Sequence, residues 1–166
     1  MRTSARVTAL LVSAAALFGT ALSGADTASA ASTIYLIKND KLGMCATPKG
    51  GSGARNTQVT QWTCNGDPSQ KWFAVLSSTG YELMNYESGM CLIPYGGSSS
   101  QGANLVLWDC NLTANEKWFG VGTQTLMNAV SGRIISTAGN SKSNGAYLTQ
   151  QSDVNASPGQ QWFAEH

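Results

Sequence analysis

One tetrapeptide returns three times in this chain: Gln70-Lys71-Trp72-Phe73, Glu116-Lys117-Trp118-Phe119 and Gln160-Gln161-Trp162-Phe163. The tryptophans lie 46 and 44 residues apart, a regularity that marks an internal repeat and constrains the fold more than any other feature. Other positions keep the same beat. Asn39, Asn85 and Asn128 each stand four residues before a glycine (Gly43, Gly89 and Gly132), and each follows an apolar residue two places earlier (Ile37, Leu83 and Leu126). Val59, Leu105 and Leu148 recur at matching offsets. The chain therefore holds three copies of one unit, at about 34–73, 74–119 and 120–163.

Within the units, short runs of β-branched and aromatic residues alternate with Gly, Ser and Asn clusters: Ile34 to Ile37, Gln58 to Trp62, Trp72 to Leu76, Tyr81 to Asn85 and Asn104 to Trp108. Beyond the N-terminal region no segment sustains a 3.6-residue apolar period, so the fold is expected to be all-β. Blade repeats of a propeller have similar length, but a propeller needs at least about four blades. Three units must instead close around a threefold axis and share one apolar centre. Trp72, Trp118 and Trp162 are its natural occupants, because a buried indole contributes a large apolar area. Gln70, Glu116 and Gln160, two residues before them, are placed to satisfy backbone groups at the turn into the strand. Glu116 is accordingly read as structural and not as a catalytic acid.

Residues 1–30 read as a secretory signal peptide of bacterial type: Arg2 and Arg6, an apolar run from Val7 to Phe18, then Ala28-Ser29-Ala30 as a cleavage site. The mature domain, residues 31–166, is then secreted and extracellular. It carries eight basic and eight acidic residues, so no basic field exists to recruit nucleic acid or an anionic membrane, and no membrane insertion is expected. Cys45, Cys64, Cys91 and Cys110 form two pairs with the same internal separation of 19 residues. In an exported chain this favours the disulfides Cys45–Cys64 and Cys91–Cys110 over the two other connectivities, and over a zinc site, for which the spacing is wrong.

The remaining tryptophans follow a different logic. Strand residues alternate between faces, so Val59 and Gln61 share one side while Thr60 and Trp62 share the other. In the second copy Leu105 and Leu107 face one way, Val106 and Trp108 the other. With the leucines turned to the core, Trp62 and Trp108 project outward beside a disulfide and a glycine-rich loop. An exposed indole is a suitable platform for the C–H face of a sugar ring, with neighbouring polar groups bonding its hydroxyls.

The threefold Q-x-W, the paired cysteines and Gly89-Met90-Cys91-Leu92 resemble the ricin B-type lectin domain, also classed as carbohydrate-binding module family 13. The resemblance covers the mature chain and implies a β-trefoil of three pseudo-symmetric repeats and twelve short strands, with up to three shallow glycan sites. In that family the sugar is held by an aspartate two residues after the first cysteine, an aromatic two before the second, and polar groups on the strand and near the Q-x-W. Carried over, the first unit offers Thr47, Thr60, Trp62, Ser69 and Gln70. The second offers Ile93, Val106, Trp108 and Asn115, and the third Ser136, Thr149 and Gln151, with Ile134 and Asp153 where cysteines would stand. All three aspartate positions are changed, to Thr47, Ile93 and Ser136. The first unit is expected to hold the main site, the second a weaker one, and the third to be scaffold.

The sequence thus points to a secreted, monomeric, non-catalytic glycan-binding module for galactose- or xylose-type sugars. The rival reading is a trefoil whose sugar sites have decayed and which binds a secreted protein as inhibitor or adaptor, motivated by the lost aspartates and the apolar Ile93-Pro94-Tyr95 beside Trp108. An enzyme is not expected. His166 stands at the terminus, the cysteines are paired, and no two carboxylates are evidently placed across a cleft. Neither a metal nor a cofactor is called for.

Overall fold

The computed structural model describes residues 33–111, 113–121, 125–154 and 157–166. Residues 1–30, read above as an export signal, lie outside them. The described residues form twelve strands and six short 3-10 turns. The first unit contributes β1 (Ile34–Asn39), β2 (Met44–Pro48), β3 (Val59–Thr63) and β4 (Lys71–Ser77). The second contributes β5 (Gly80–Asn85), β6 (Cys91–Pro94), β7 (Leu105–Trp108) and β8 (Lys117–Val121). The third contributes β9 (Thr125–Asn128), β10 (Ile134–Thr137), β11 (Leu148–Gln151) and β12 (Trp162–Glu165).

The first and fourth strands of each unit make a barrel. β1 pairs antiparallel with β12 and β4, β4 with β5, β5 with β8, and β8 with β9. β9 lies against β12 at the closing edge. The middle strands form three hairpins, β2–β3, β6–β7 and β10–β11, which cap one end. This is the all-β trefoil the repeats implied.

The hairpins meet in a cycle. Gln58 bridges Val106, Asn104 bridges Thr149, and Tyr147 bridges Thr60, so the same two positions pair from unit to unit and return to the start. Only rotational symmetry allows such a ring. At its centre the Gln58 Nε2 reaches the equivalent carbonyls of Leu105, Leu148 and Val59 at 2.9, 3.4 and 3.5 Å, satisfying three oxygens that symmetry drives together.

Below the cap, Trp72, Trp118 and Trp162 are fully buried in one cluster with Ile37, Leu83, Leu126 and the recurring Val59, Leu105 and Leu148. Their N–H groups also find acceptors. Trp72 donates to the Ala46 carbonyl and Trp118 to the equivalent Leu92 carbonyl, whereas Trp162 turns to Gly159 in its own chain segment.

The repeated asparagines stitch the units together. Each donates its Nδ2 to a carbonyl in the 3-10 turn of the preceding unit: Asn39 to Pro158, Asn85 to Ser69, Asn128 to Asn115. Each also accepts through Oδ1 from its own turn, at Leu42, Ser88 and Ser131. The glycine four residues on closes that turn by donating to the asparagine carbonyl, with φ of 64° at Gly43, 68° at Gly89 and 63° at Gly132. A residue with a Cβ is strained in that left-handed conformation, which explains the fixed Asn-to-Gly spacing.

Cys45–Cys64 and Cys91–Cys110 are disulfides, one per unit in the first two, each tying the start of a cap hairpin to the segment after it. Bridges closing loops of this length contribute about 3 kcal/mol each by restricting the unfolded chain.

Candidate functional site

In the first unit, β2 and β3 floor an open cleft of about 250 Å³, walled by the Lys49–Gly51 turn on one side and the Asn65–Gln70 segment on the other. That volume is smaller than the roughly 300–1,000 Å³ of drug-sized ligand sites and suits a small ring. The five residues expected here from the sequence, Thr47, Thr60, Trp62, Ser69 and Gln70, all line it. They are not equivalent. Trp62 is 44% exposed and presents its ring to solvent, while the other four are almost wholly buried.

The four buried residues are occupied with one another. Thr60 Oγ1 donates to the Thr47 carbonyl, and Thr47 Oγ1 donates to the Cys45 carbonyl while accepting from Gln70 Nε2. Gln70 also donates to the Thr63 carbonyl and accepts from the Asn65 amide, so it pins the end of β3 to the following turn, as expected of that repeated slot. Ser69 Oγ donates to Asp67 Oδ1 at 2.7 Å. The hydroxyls expected to grip a ligand therefore hold the cleft's own shape.

Two residues that sequence reasoning did not assign to the site supply its free polar atoms. Asp67 caps the Pro68–Gln70 turn, its Oδ1 accepting from both the Ser69 amide and hydroxyl, which leaves Oδ2 without a partner among the described residues at the cleft wall. Those two bonds, the hydroxyl's foremost, hold the Asp67 carboxyl below its ordinary range, with a smaller pull from the Lys71 ammonium. Asn65 accepts the Asp67 amide at Oδ1, and among the described residues its Nδ2 donor has no partner beside the same cleft. The changed position at Thr47 thus did not empty the cleft of negative charge; a carboxylate enters from the wall above that floor. The signal was present in Asp67-Pro68-Ser69, a helix-capping pattern three residues ahead of Gln70.

The second unit has a cleft of about 310 Å³ lined by Ile93, Trp108, Asn111, Thr113, Asn115 and Glu116, among others. Trp108 is only half-buried, but it does not stand clear as Trp62 does. The Arg55 guanidinium lies over its ring, 5.0 Å from the centroid, and pairs with Asp109. The edge beneath is apolar: Ile93 and Val106 pack with Cys91 against Trp108. Of Ile93-Pro94-Tyr95, only Tyr95 is exposed. Thr113 stands where the first unit has Asp67, and its hydroxyl bonds to Asn115 Oδ1 and Glu116 Oε1. Glu116 accepts from the Asn111 amide, so it fills the Gln70 role without donating.

In the third unit a shallower depression of about 190 Å³ is lined by Ser136, Asn140, Gln151, Ser157 and Gln160, with no aromatic platform. Thr149 is buried and bonds the Ser136 carbonyl. Gln160 repeats the Gln70 bonds, to the Ser152 carbonyl and the Val154 amide.

No curated protein sequence matches the chain significantly. Among solved structures it is similar to ThreeFoil, a designed threefold-symmetric protein (TM-score 0.75, 25% identity, covering 80% of this chain and 98% of that one). It is also similar to part of the exo-β-1,3-galactanase 1,3Gal43A from Clostridium thermocellum (TM-score 0.73, 27% identity, 80% of this chain but 30% of that longer one). The Macrolepiota procera ricin B-like lectin, solved with lactose, shares the fold at 15% identity (TM-score 0.70, 81% of this chain and 96% of that one). Residues 33–162 match the ricin-type β-trefoil lectin domain as a unit, and the chain belongs to that family.

Proposed function

We propose that this lectin-family domain is an exported, monomeric, non-catalytic carbohydrate-binding module whose principal site is the first-unit cleft. A sugar ring stacks on Trp62, Asp67 Oδ2 accepts from its hydroxyls, and Asn65 Nδ2 donates to them. Thr47, Thr60, Ser69 and Gln70 set the positions of these groups. The observation that carries the reading is the pairing of an exposed indole with an unpartnered carboxylate oxygen and an unpartnered amide in one open cleft.

Charge-assisted bonds to hydroxyls are about twice as strong as neutral ones, which makes Asp67 the main anchor of orientation. Galactose- or xylose-type units are the first ligands to try, the lactose complex of the Macrolepiota procera lectin being the relevant analogy. Among the described residues Asp67 is the one carboxylate lining the cleft, whereas a glycosidase works with two across the bond it cleaves. Export is supported by the two formed disulfides, which persist in oxidising compartments.

The test is titration of the domain with galactose- and xylose-containing oligosaccharides, followed by tryptophan fluorescence. Saturable quenching that disappears in Trp62→Ala is expected. Equal binding by the variant overturns the site, and capture of a stoichiometric protein that survives excess sugar favours the adaptor reading instead.

A further inference from the structure

The sequence contains two Asn-Gly steps, Asn65-Gly66 and Asn144-Gly145, and the fold brings both to the first-unit cleft. Asn65 lines its wall, and a Cβ on Gly145 would stand 3.7 Å from the Trp62 ring. We propose that Asn65 is a site of spontaneous deamidation, and that its conversion to a carboxylate lowers the sugar affinity of the cleft with age. The second half rests on the functional reading above; the first does not.

The chemistry needs no partner beyond water. The Gly66 backbone nitrogen, giving its proton to solvent, attacks Asn65 Cγ; a C–N bond forms, the Cγ–Nδ2 bond breaks, and ammonia leaves. Water then opens the five-membered imide at either carbonyl, yielding aspartate or isoaspartate with no change of oxidation state. Three features favour this at Asn65. Among the described residues the Gly66 N–H has no hydrogen-bond partner, so deprotonation costs no native hydrogen bond there. Gly66 sits at φ 79° with open space where a Cβ would be, giving water and base access to the nitrogen. The Asp67 amide donates to Asn65 Oδ1 at 3.0 Å, polarising the carbon under attack and stabilising the oxygen that gains charge.

Asn144 has the same dipeptide in a different setting. Its Oδ1 accepts from the amide and hydroxyl of Thr63 in another unit, so the carbonyl is polarised here as well, and the difference lies at the attacking nitrogen. The Gly145 amide is itself bonded to the Gln61 carbonyl at 2.8 Å, part of the cyclic contact between units. Opening that Gly145 bond before reaction slows Asn144 relative to Asn65 by about fivefold.

In the cleft the product removes the unpaired Nδ2 donor and places a second negative charge beside Asp67, so a sugar hydroxyl oxygen loses the donor it accepted from and meets a more strongly hydrated wall.

The purified domain, incubated at mildly alkaline pH and sampled over days, should gain the mass of an amide-to-acid exchange in the peptide containing Asn65 well before the peptide containing Asn144. Asn65→Gln should abolish the early event. An unmodified Asn65, or equal rates at the two asparagines, overturns the modification. Fresh, aged and Asn65→Asp protein are then titrated with the oligosaccharides above. Several-fold weaker binding by the last two is expected, and equal affinity in all three overturns the effect on binding. If fresh protein binds no sugar, the functional reading fails and the effect on binding falls with it, while the modification still stands or falls on the mass measurement.

Discussion

The first and second units place an indole at the same strand position beside the same disulfide, yet the two surfaces differ in what surrounds the ring. Trp62 is exposed and shares its cleft with a carboxylate oxygen and an amide nitrogen that have no partners among the described residues. Trp108 lies under Arg55, its cleft wall is Ile93, and Thr113, standing where the first unit has Asp67, brings no carboxylate and bonds its hydroxyl to Asn115 and Glu116, while Asn111 repeats the setting of Asn65. An aromatic platform is therefore not a site by itself. The difference lies in the turn before Q-x-W, where Asp67-Pro68-Ser69-Gln70 leaves a carboxylate oxygen to spare and Thr113-Ala114-Asn115-Glu116 offers in its place a hydroxyl bonded within the turn.

Removing the platforms should separate the two units most sharply. Trp62→Ala is expected to weaken oligosaccharide binding by roughly thirtyfold, about 2 kcal/mol of lost apolar contact, while Trp108→Ala leaves the first-site affinity unchanged. Calorimetric titration of both variants checks this. A smaller effect is expected from transplanting the turn: Thr113→Asp with Asn115→Ser and Glu116→Gln should raise second-site affinity by about fivefold, the margin between a charged and a neutral hydrogen bond, and push the stoichiometry toward two. A triple variant that still binds one sugar per chain would show that Ile93 or Arg55, and not the turn, silences the second unit.

Acid gives a milder contrast. Binding at the first site depends on ionised Asp67, whose pKa is lowered from 3.8 in the folded protein by Ser69. The affinity is present above that pKa and lost as pH falls through it, so the midpoint of loss should lie below 3.8. Ser69→Ala removes the hydroxyl bond and should shift the midpoint upward. Smallest of all is Arg55→Ala, which uncovers Trp108 and breaks an exposed ion pair; about 0.5–1 kcal/mol of stability is expected to be lost in thermal unfolding, with first-site binding untouched.

The repeat made most of this fold legible. The regular tryptophans marked the buried centre, and the Asn-to-Gly spacing marked a recurring position that the structure shows to be a turn tying each unit to its predecessor. Trp62 was readable as an exposed platform because Val59 and its counterparts fixed which strand face was inward. Which hydroxyls remained available was not readable. Thr47, Thr60 and Ser69 reach the cleft by position, but their bonds to Cys45, Thr47 and Asp67 follow from backbone geometry that residue types do not specify. Asp67 was not assigned to the site for a related reason: a search guided by the position after the first cysteine looks at the floor of the cleft, and this carboxylate stands on its wall. Arg55 covers Trp108 from a different unit, a contact that strand alternation within one repeat does not reveal.

The most direct measurement is a calorimetric titration of the wild-type domain and Asp67→Asn, side by side at neutral pH, with the oligosaccharide that binds best. The substitution keeps the size of the side chain and its ability to accept from the Ser69 amide while removing the charge. A fivefold or greater loss of affinity, on the order of the difference between charge-assisted and neutral bonds, is the expected result. Unchanged affinity in a folded Asp67→Asn variant would contradict the claim that the first unit binds its ligand through a carboxylate supplied from the turn before Q-x-W.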